Sequence, residues 1–282
     1  MNSSVSPDES AERFNLSHAE HGEGEPVILV HGSNSDQRIW DQHLKIIGFR
    51  YRAIAVCLRY FGGKPWPDTG ENFRVSVLAD DLAYFVRGLG VGPVTIIGWS
   101  LGGAVSLTMA LRNRKFVRRM FLYEPSLTTF VTDAGDARAA AEDRLAMMSA
   151  AKPLDASGYL AGAVRLFMDG VNAEGGAFDR LAPEVQTMMT ENARMLPLLF
   201  AGPPAPQVSA DDLRAFDRPV TIAVGEDSRI HYQIAARTAQ SLLPFGRLEV
   251  VRGAKHLWPI QDPRSFSQLV LRVLKETGYK PE

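Results

Sequence analysis

Three short apolar runs set what this chain can fold into, because none of them alternates. They are Pro26-Val27-Ile28-Leu29-Val30, Tyr51-Arg52-Ala53-Ile54-Ala55-Val56 and Pro93-Val94-Thr95-Ile96-Ile97. A strand with one face in water alternates apolar and polar residues, whereas a continuous apolar run belongs to a strand covered on both faces. Between the last two, apolar residues at 75, 78, 82, 85, 86 and 89 keep helical spacing, and Gly90 follows as a C-terminal stop. The segment from Ser100 to Arg112 reads as a further helix, and Val117–Tyr123 as the next strand. Strand, helix, strand, helix, strand predicts an α/β fold, a mostly parallel central sheet flanked by helices on both faces.

The alternation then stops. Residues 126–212 contain no convincing strand, only helical patterns at 136–152, 156–168 and 184–200. The run Gly202-Pro203-Pro204-Ala205-Pro206 closes this part as a stiff connector. Strands resume at 219–224 and 247–251, and 263–277 ends the chain as an amphipathic helix. The predicted organisation is a core of 1–125 and 213–282 with an inserted helical cap or lid at 126–212. Six of the nine methionines (147, 148, 168, 188, 189 and 195) fall in the insertion. They either pack the cap helices together or form an adaptable apolar roof over a pocket.

Composition narrows the function. At 282 residues the chain can bury a large core, and 31 basic against 32 acidic residues leave a net charge of −1 with no basic patch. Nucleic acid and anionic membranes both select for such patches, so neither is an expected partner. The polar, Ser-rich first twelve residues carry no readable signal peptide, and no apolar stretch approaches membrane-spanning length. A cytoplasmic protein is expected, and a homodimer stays open. The single cysteine, Cys57, lies in an apolar run and reads as a buried filler.

The chemistry concentrates where the third apolar run meets the helix after it. Gly98-Trp99-Ser100-Leu101-Gly102-Gly103 places Gly-x-Ser-x-Gly between a strand and a helix, the setting that thrusts a serine hydroxyl out on a sharp strained turn. The helix aims its N-terminal N–H groups and positive dipole end at any developing oxyanion. In acyl transfer of this type one oxyanion donor is the N–H after the nucleophile, here Leu101. The second comes from the loop after an early strand, and in His31-Gly32-Ser33 the candidate is the Ser33 N–H. Six histidines could serve as base. His18 and His21 precede the sheet, His31 reads as a structural loop residue, His43 sits in a helix and His231 begins one. Only His256 lies in a loop at the carboxyl edge of the sheet, where open α/β sheets place their ligands.

The order His-Gly, Gly-x-Ser-x-Gly, helical insertion and Gly-x-x-His resembles the α/β-hydrolase fold superfamily, in its capped serine-hydrolase subgroup, over about residues 22–278. The likeness implies a serine esterase or lactonase with a catalytic triad, an oxyanion hole and no cofactor or metal. Its substrate would be a small hydrophobic carboxylic ester or lactone. A carbon–carbon bond hydrolase, a non-catalytic small-molecule receptor and a cofactor-free oxygenase or perhydrolase are the alternatives on the same scaffold. Two departures stand out. Cys57-Leu58-Arg59-Tyr60-Phe61-Gly62-Gly63 replaces the usual Asp-x-x-Gly-x-Gly, and the short N-terminal region leaves the first antiparallel strand stunted or missing.

The triad acid is the least expected residue. The superfamily usually places it after the penultimate strand, as Gly-x-x-Asp. Here Val224-Gly225-Glu226-Asp227-Ser228 puts Ser228 at that position and Asp227 one residue early, which in extended chain redirects the side chain by half a turn. Glu124, ending the strand after the nucleophile unit, offers another route and resembles a minority pattern in some haloalkane dehalogenases and zearalenone-type lactonases. The sequence favours Glu124, held extended by Pro125, over Asp227.

Overall fold

The computed structural model describes residues 14–202 and 208–276. The first twelve residues, most of the proline connector and Thr277 therefore lie outside it. Seven strands form one sheet: β1 (Ser17–His21), β2 (Pro26–Val30), β3 (Arg52–Cys57), β4 (Val94–Trp99), β5 (Val117–Tyr123), β6 (Val220–Gly225) and β7 (Gly246–Val251). Their order is β1-β3-β2-β4-β5-β6-β7, all parallel except β1, which runs antiparallel to β3. The antiparallel strand is thus present, five residues long, and it carries His18 and His21 instead of following them.

The apolar runs are covered as their composition demands. Val27 to Val30, Ala53 to Val56, Ile96, Ile97, Phe121, Leu122 and Ile222 are all buried. Helices α1 (Asp41–Ile47), α2 (Val75–Gly88) and α3 (Leu101–Arg112) join the first strands, and Gly90 adopts φ 63° just past α2, as a C-terminal stop requires. Where the usual Asp-x-x-Gly-x-Gly is missing, Arg59 forms a buried two-bond pair with Asp81, Nε to Oδ2 and Nη2 to Oδ1, both at 2.7 Å. Cys57 is buried, and burial pushes its thiol pKa up to about 11, an inert state.

Between β5 and β6 the described chain holds helices and loops but no strand: α4 (Ala134–Met148), α5 (Lys152–Ala156), α6 (Leu160–Val171), α7 (Pro183–Glu191), α8 (Leu196–Phe200) and α9 (Ala210–Arg214). The helix expected at 156–168 starts later because Gly158, at φ 79°, breaks the chain after α5. The one expected at 184–200 divides, since Pro197 fits the first turn of α8 but has no N–H to continue a helix from α7. Three helices close the chain: α10 (Ile230–Leu242), α11 (Trp258–Gln261) and α12 (Pro263–Glu276). No helix among the described residues is long and apolar enough to cross a membrane.

Burial leaves its mark on acid stability. Desolvation holds the imidazoles of His31, His43 and His231 at a pKa of about 4. The unfolded chain takes up these protons below about pH 6.5, while the folded chain resists until about pH 4. Stability should therefore fall as pH drops through that window, by up to about 4 kcal/mol per pH unit if all three titrate, and be insensitive to these groups above it. Urea midpoints measured from pH 7 to 4.5 check the sign, and His43→Gln should flatten the slope by about one proton. An unchanged slope in that variant would contradict the assignment.

Candidate active site

The crevice forms where the strand order reverses. Strands β2 and β4 are neighbours, but the chain leaves β2 toward β3 and leaves β4 toward β5, so their carboxyl ends part. Ser100 stands at this point with φ 54° and ψ −120°, a conformation that costs an L-residue roughly 1–3 kcal/mol. Glycines let the turn fit. A Cβ on Gly102 would lie 2.3 Å from the Val30 carbonyl oxygen, and one on Gly103 would lie 2.9 Å from Pro125. Backbone bonds hold the strain. The Ser100 N–H donates to Tyr123 O at 3.0 Å, and Ser100 O accepts from the N–H groups of Ala104 and Ser126, both at 3.1 Å.

Those last two bonds orient the Leu101 N–H, the expected oxyanion donor. Carbonyl and N–H of one peptide plane point in opposite directions, so fixing Ser100 O turns the Leu101 N–H the other way. Leu101 opens α3, where no helical carbonyl can take its N–H. The loop after β2 repeats the device. Gly32 O accepts from His31 Nδ1 at 2.7 Å and from Ser35 Oγ at 3.0 Å, which turns the Ser33 N–H away from them. His31 Nε2 accepts the Leu58 N–H at 3.1 Å, so the ring is the neutral Nδ1–H tautomer that its burial also favours. Ser33 and Leu101 line the same cavity as Ser100.

Tyr123 pairs with Trp99 across β5 and β4, which makes Glu124 the lateral neighbour of Ser100. The expectation of an extended Glu124 ahead of Pro125 is corrected: its φ is 46°. A left-handed turn costs an L-residue about 1–2 kcal/mol, and here it swings the carboxylate back over the end of β6 to three donors. Glu124 is fully buried. Its Oε1 accepts the Gly225 N–H at 2.8 Å and the Ser228 hydroxyl, and its Oε2 accepts His256 Nδ1–H at 2.6 Å. Asp227 is exposed, its N–H donates to Ala254 O, and no contact with His256 is found among the described residues. Ser228, at the position where an acid is usual, instead supports Glu124.

His256 is fixed on every side. Its carbonyl accepts the Trp99 Nε1–H at 3.1 Å, and the next N–H, of Leu257, donates to Asn172 Oδ1 at 3.0 Å. With Nδ1–H given to Glu124, Nε2 of the neutral ring is an acceptor. Tyr232 stacks on the imidazole with ring centroids 4.3 Å apart and planes within 5°. Its hydroxyl lies 3.3 Å from Nε2. Because the rings are parallel, this hydroxyl approaches Nε2 from the ring face and leaves its in-plane lone pair open. Burial, with the Glu124 charge second, pushes the Tyr232 phenol well above its ordinary pKa, so it stays protonated.

The cavity over Ser100 measures about 100 Å³, room for roughly seven to ten water-sized groups. Met147 and Met148 reach it, whereas Met168, Met188, Met189 and Met195 are buried elsewhere, so the roofing and packing roles are divided. The Trp99 ring, beside the serine in sequence, faces Trp40 and His256. Among the described residues no three His, Cys, Asp or Glu side chains gather to hold a metal ion.

A model of the alpha/beta hydrolase family matches residues 27–269. The chain belongs to that family. It is 28% identical over 255 residues to 2-(acetamidomethylene)succinate hydrolase of Mesorhizobium japonicum (strain LMG 29417 / CECT 9101 / MAFF 303099), with 86% of each chain covered. A shorter match, 31% over 96 residues, to epoxide hydrolase 3 of Xenopus tropicalis covers 34% of this chain and 26% of that protein. A thermophilic esterase from Thermogutta terrifontis superposes with a TM-score of 0.65 at 24% identity over 93% of both chains, a likeness of fold.

Two site residues of this α/β-hydrolase carry no sequence signal. Tyr232 follows an unremarkable Arg-Ile-His, and Arg144 sits mid-helix among alanines and acids, yet both line the cavity. The close approach at Gly102 gives a direct test of the turn. Gly102→Ala should lower stability by about 3 kcal/mol or more, roughly 6–12 °C in Tm, since the clash is with backbone. Gly63→Ala, with nothing within 4 Å of the added methyl, should leave Tm unchanged. Equal Tm values for the two variants would contradict the packing described.

Proposed function

We propose that this protein is a serine hydrolase that cleaves a small, mainly hydrophobic carboxylic ester or lactone through an acyl-enzyme on Ser100. The observation that carries the reading is the 2.6 Å bond from His256 Nδ1 to a fully buried Glu124, beside a strained serine. In this reading Ser100, His256 and Glu124 are the triad, the Ser33 and Leu101 N–H groups form the oxyanion hole, and residues 126–212 cap a core of 1–125 and 213–282. The family membership and the name of the Mesorhizobium relative, a hydrolase of a small molecule, support it.

The chemistry follows from the geometry. Ser100 Oγ attacks the carbonyl carbon as His256 Nε2 takes its proton, and the carbonyl π pair moves onto oxygen, facing the two N–H groups. Glu124 holds the ring in the tautomer that leaves Nε2 free and stabilises the imidazolium that forms. The carbon–oxygen bond then breaks, and Nε2–H gives its proton to the departing alkoxide. Water adds to the acyl-enzyme, losing a proton to Nε2. Collapse returns that proton to Ser100 and releases the acid.

Ser100→Ala should lower turnover of short p-nitrophenyl esters by on the order of 10³-fold or more with the fold intact by circular dichroism. Glu124→Gln and Asp227→Asn, assayed together at one pH, separate the two candidate acids. The Gln variant should lose up to ~10⁴ in kcat, the scale seen when a triad aspartate is amidated, and the Asn variant should stay within about twofold. A crippled Asn variant beside a near-normal Gln variant would move the acid to Asp227.

A further inference from the structure

One charged side chain reaches the cavity. Arg144 of α4 lines it together with Ser100, Tyr232 and Met147, and the rest of the wall is apolar or neutral. His231 and Tyr232, the other titratable groups there, are kept neutral by burial, which lowers the imidazole's pKa to about 4 and raises the phenol's. Arg144 has no hydrogen-bond or ion-pair partner among the described residues, although its neighbours are fully engaged. Asp143, next to it, accepts from Arg229 Nη2 on Oδ1 at 2.5 Å and from His231 Nδ1 on Oδ2 at 2.6 Å. Burial alone would raise the Asp143 carboxyl, but the His231 and Arg229 bonds pull it below its usual range. Glu142 and Arg138 of the same helix are exposed.

The same bonds hold the backbone of α4 beside the site at this point. Arg229 and His231 flank the start of α10, which carries Tyr232 against His256. Asp143 therefore ties α4 to the element that backs the site, and Arg144 sits one residue beyond that tie. Its exposure puts the guanidinium at the mouth while Ser100 is buried inside. A guanidinium presents a planar fork that matches a carboxylate, and beside a low-dielectric wall its attraction is less screened than in open solvent.

We infer that Arg144 is an anion subsite, and that the substrate is a small ester or lactone bearing one carboxylate at the end opposite the carbonyl that Ser100 attacks. This rests on the serine-hydrolase reading above and names its substrate class. The reactive carbonyl enters first, the short apolar segment fills the cavity, and the carboxylate stays at the mouth on Arg144. Ser100 and Arg144 line the same cavity of about 100 Å³, the size of one small molecule, so a single short ester can meet both.

The test compares monoethyl glutarate with its neutral near-isostere ethyl 5-amino-5-oxopentanoate, reading ethanol release. The wild type should favour the anionic ester in kcat/KM by about tenfold or more, and raised ionic strength should shrink that preference. Arg144→Gln should remove the preference, Arg144→Lys should keep part of it, and Arg144→Glu should reverse it. A wild-type preference that survives in Arg144→Gln, or no preference in the wild type, overturns the subsite. A second readout does not need turnover. Monoethyl glutarate binding by calorimetry to Ser100→Ala protein should weaken about tenfold on adding Arg144→Gln, and equal affinities overturn the proposal. Binding that depends on Arg144 without hydrolysis of either ester would retain the subsite and overturn the hydrolase reading instead.

Discussion

A fully buried carboxylate cannot stand alone in a protein interior, and Glu124 dictates how the carboxyl edge of this sheet is built. Its two oxygens draw in the Gly225 N–H at the end of β6, the Ser228 hydroxyl and the His256 ring. One side chain at the end of β5 thereby ties together the next strand, its exit loop and the last loop of the chain. The left-handed backbone at Glu124 is the cost of that reach, repaid by three bonds at once. Loss of any one donor leaves a buried acceptor short, so the edge holds together or fails as a unit.

The strain at Ser100 sits beside the strain at Glu124 because Trp99 and Tyr123 are paired in register. Each positive φ lies at the end of a strand that the sheet clamps on both sides, where surrounding bonds can hold a conformation the residue itself disfavours. The proposed oxyanion donors are set by backbone bonds of the same kind. Gly32 O and Ser100 O each accept from two donors, and the opposite sides of their peptides are left presenting the Ser33 and Leu101 N–H groups, whose residues line one cavity. Above them the helical insertion is not loosely laid. Asp143 meets Arg229 and His231 at the start of α10, and Asn192 reaches both Asp36 and the Gly62 N–H.

Much of this was legible in the residues. The unbroken apolar runs marked the buried parallel strands, and the glycines around Ser100 marked a turn pressed against neighbouring backbone. Serine at 228 and Asp227 a residue early made the usual acid position unfit, which pointed to Glu124. Its backbone was misjudged, because the rule for residues before proline describes local sterics and three tertiary hydrogen bonds override it. The antiparallel β1 was too polar to read, since only edge pairing with β3 defines it. Tyr232 and Arg144 carry no such signal for a related reason: helical periodicity tells which face is buried, not which side chain lines a cavity shared with a serine far off in the chain. Pro197 and Gly158 were visible as letters, but their effect depended on where the helices of the insertion happened to begin.

The central claim is that Ser100 is a nucleophile made reactive by His256. Intact-mass analysis after incubation with a fluorophosphonate, followed by peptide mapping, tests it most directly. The account predicts a single stoichiometric adduct on Ser100 in the wild type, and labelling slowed by on the order of 10²-fold or more in His256→Ala. An adduct on another residue, or equal labelling rates in the two proteins, would contradict it.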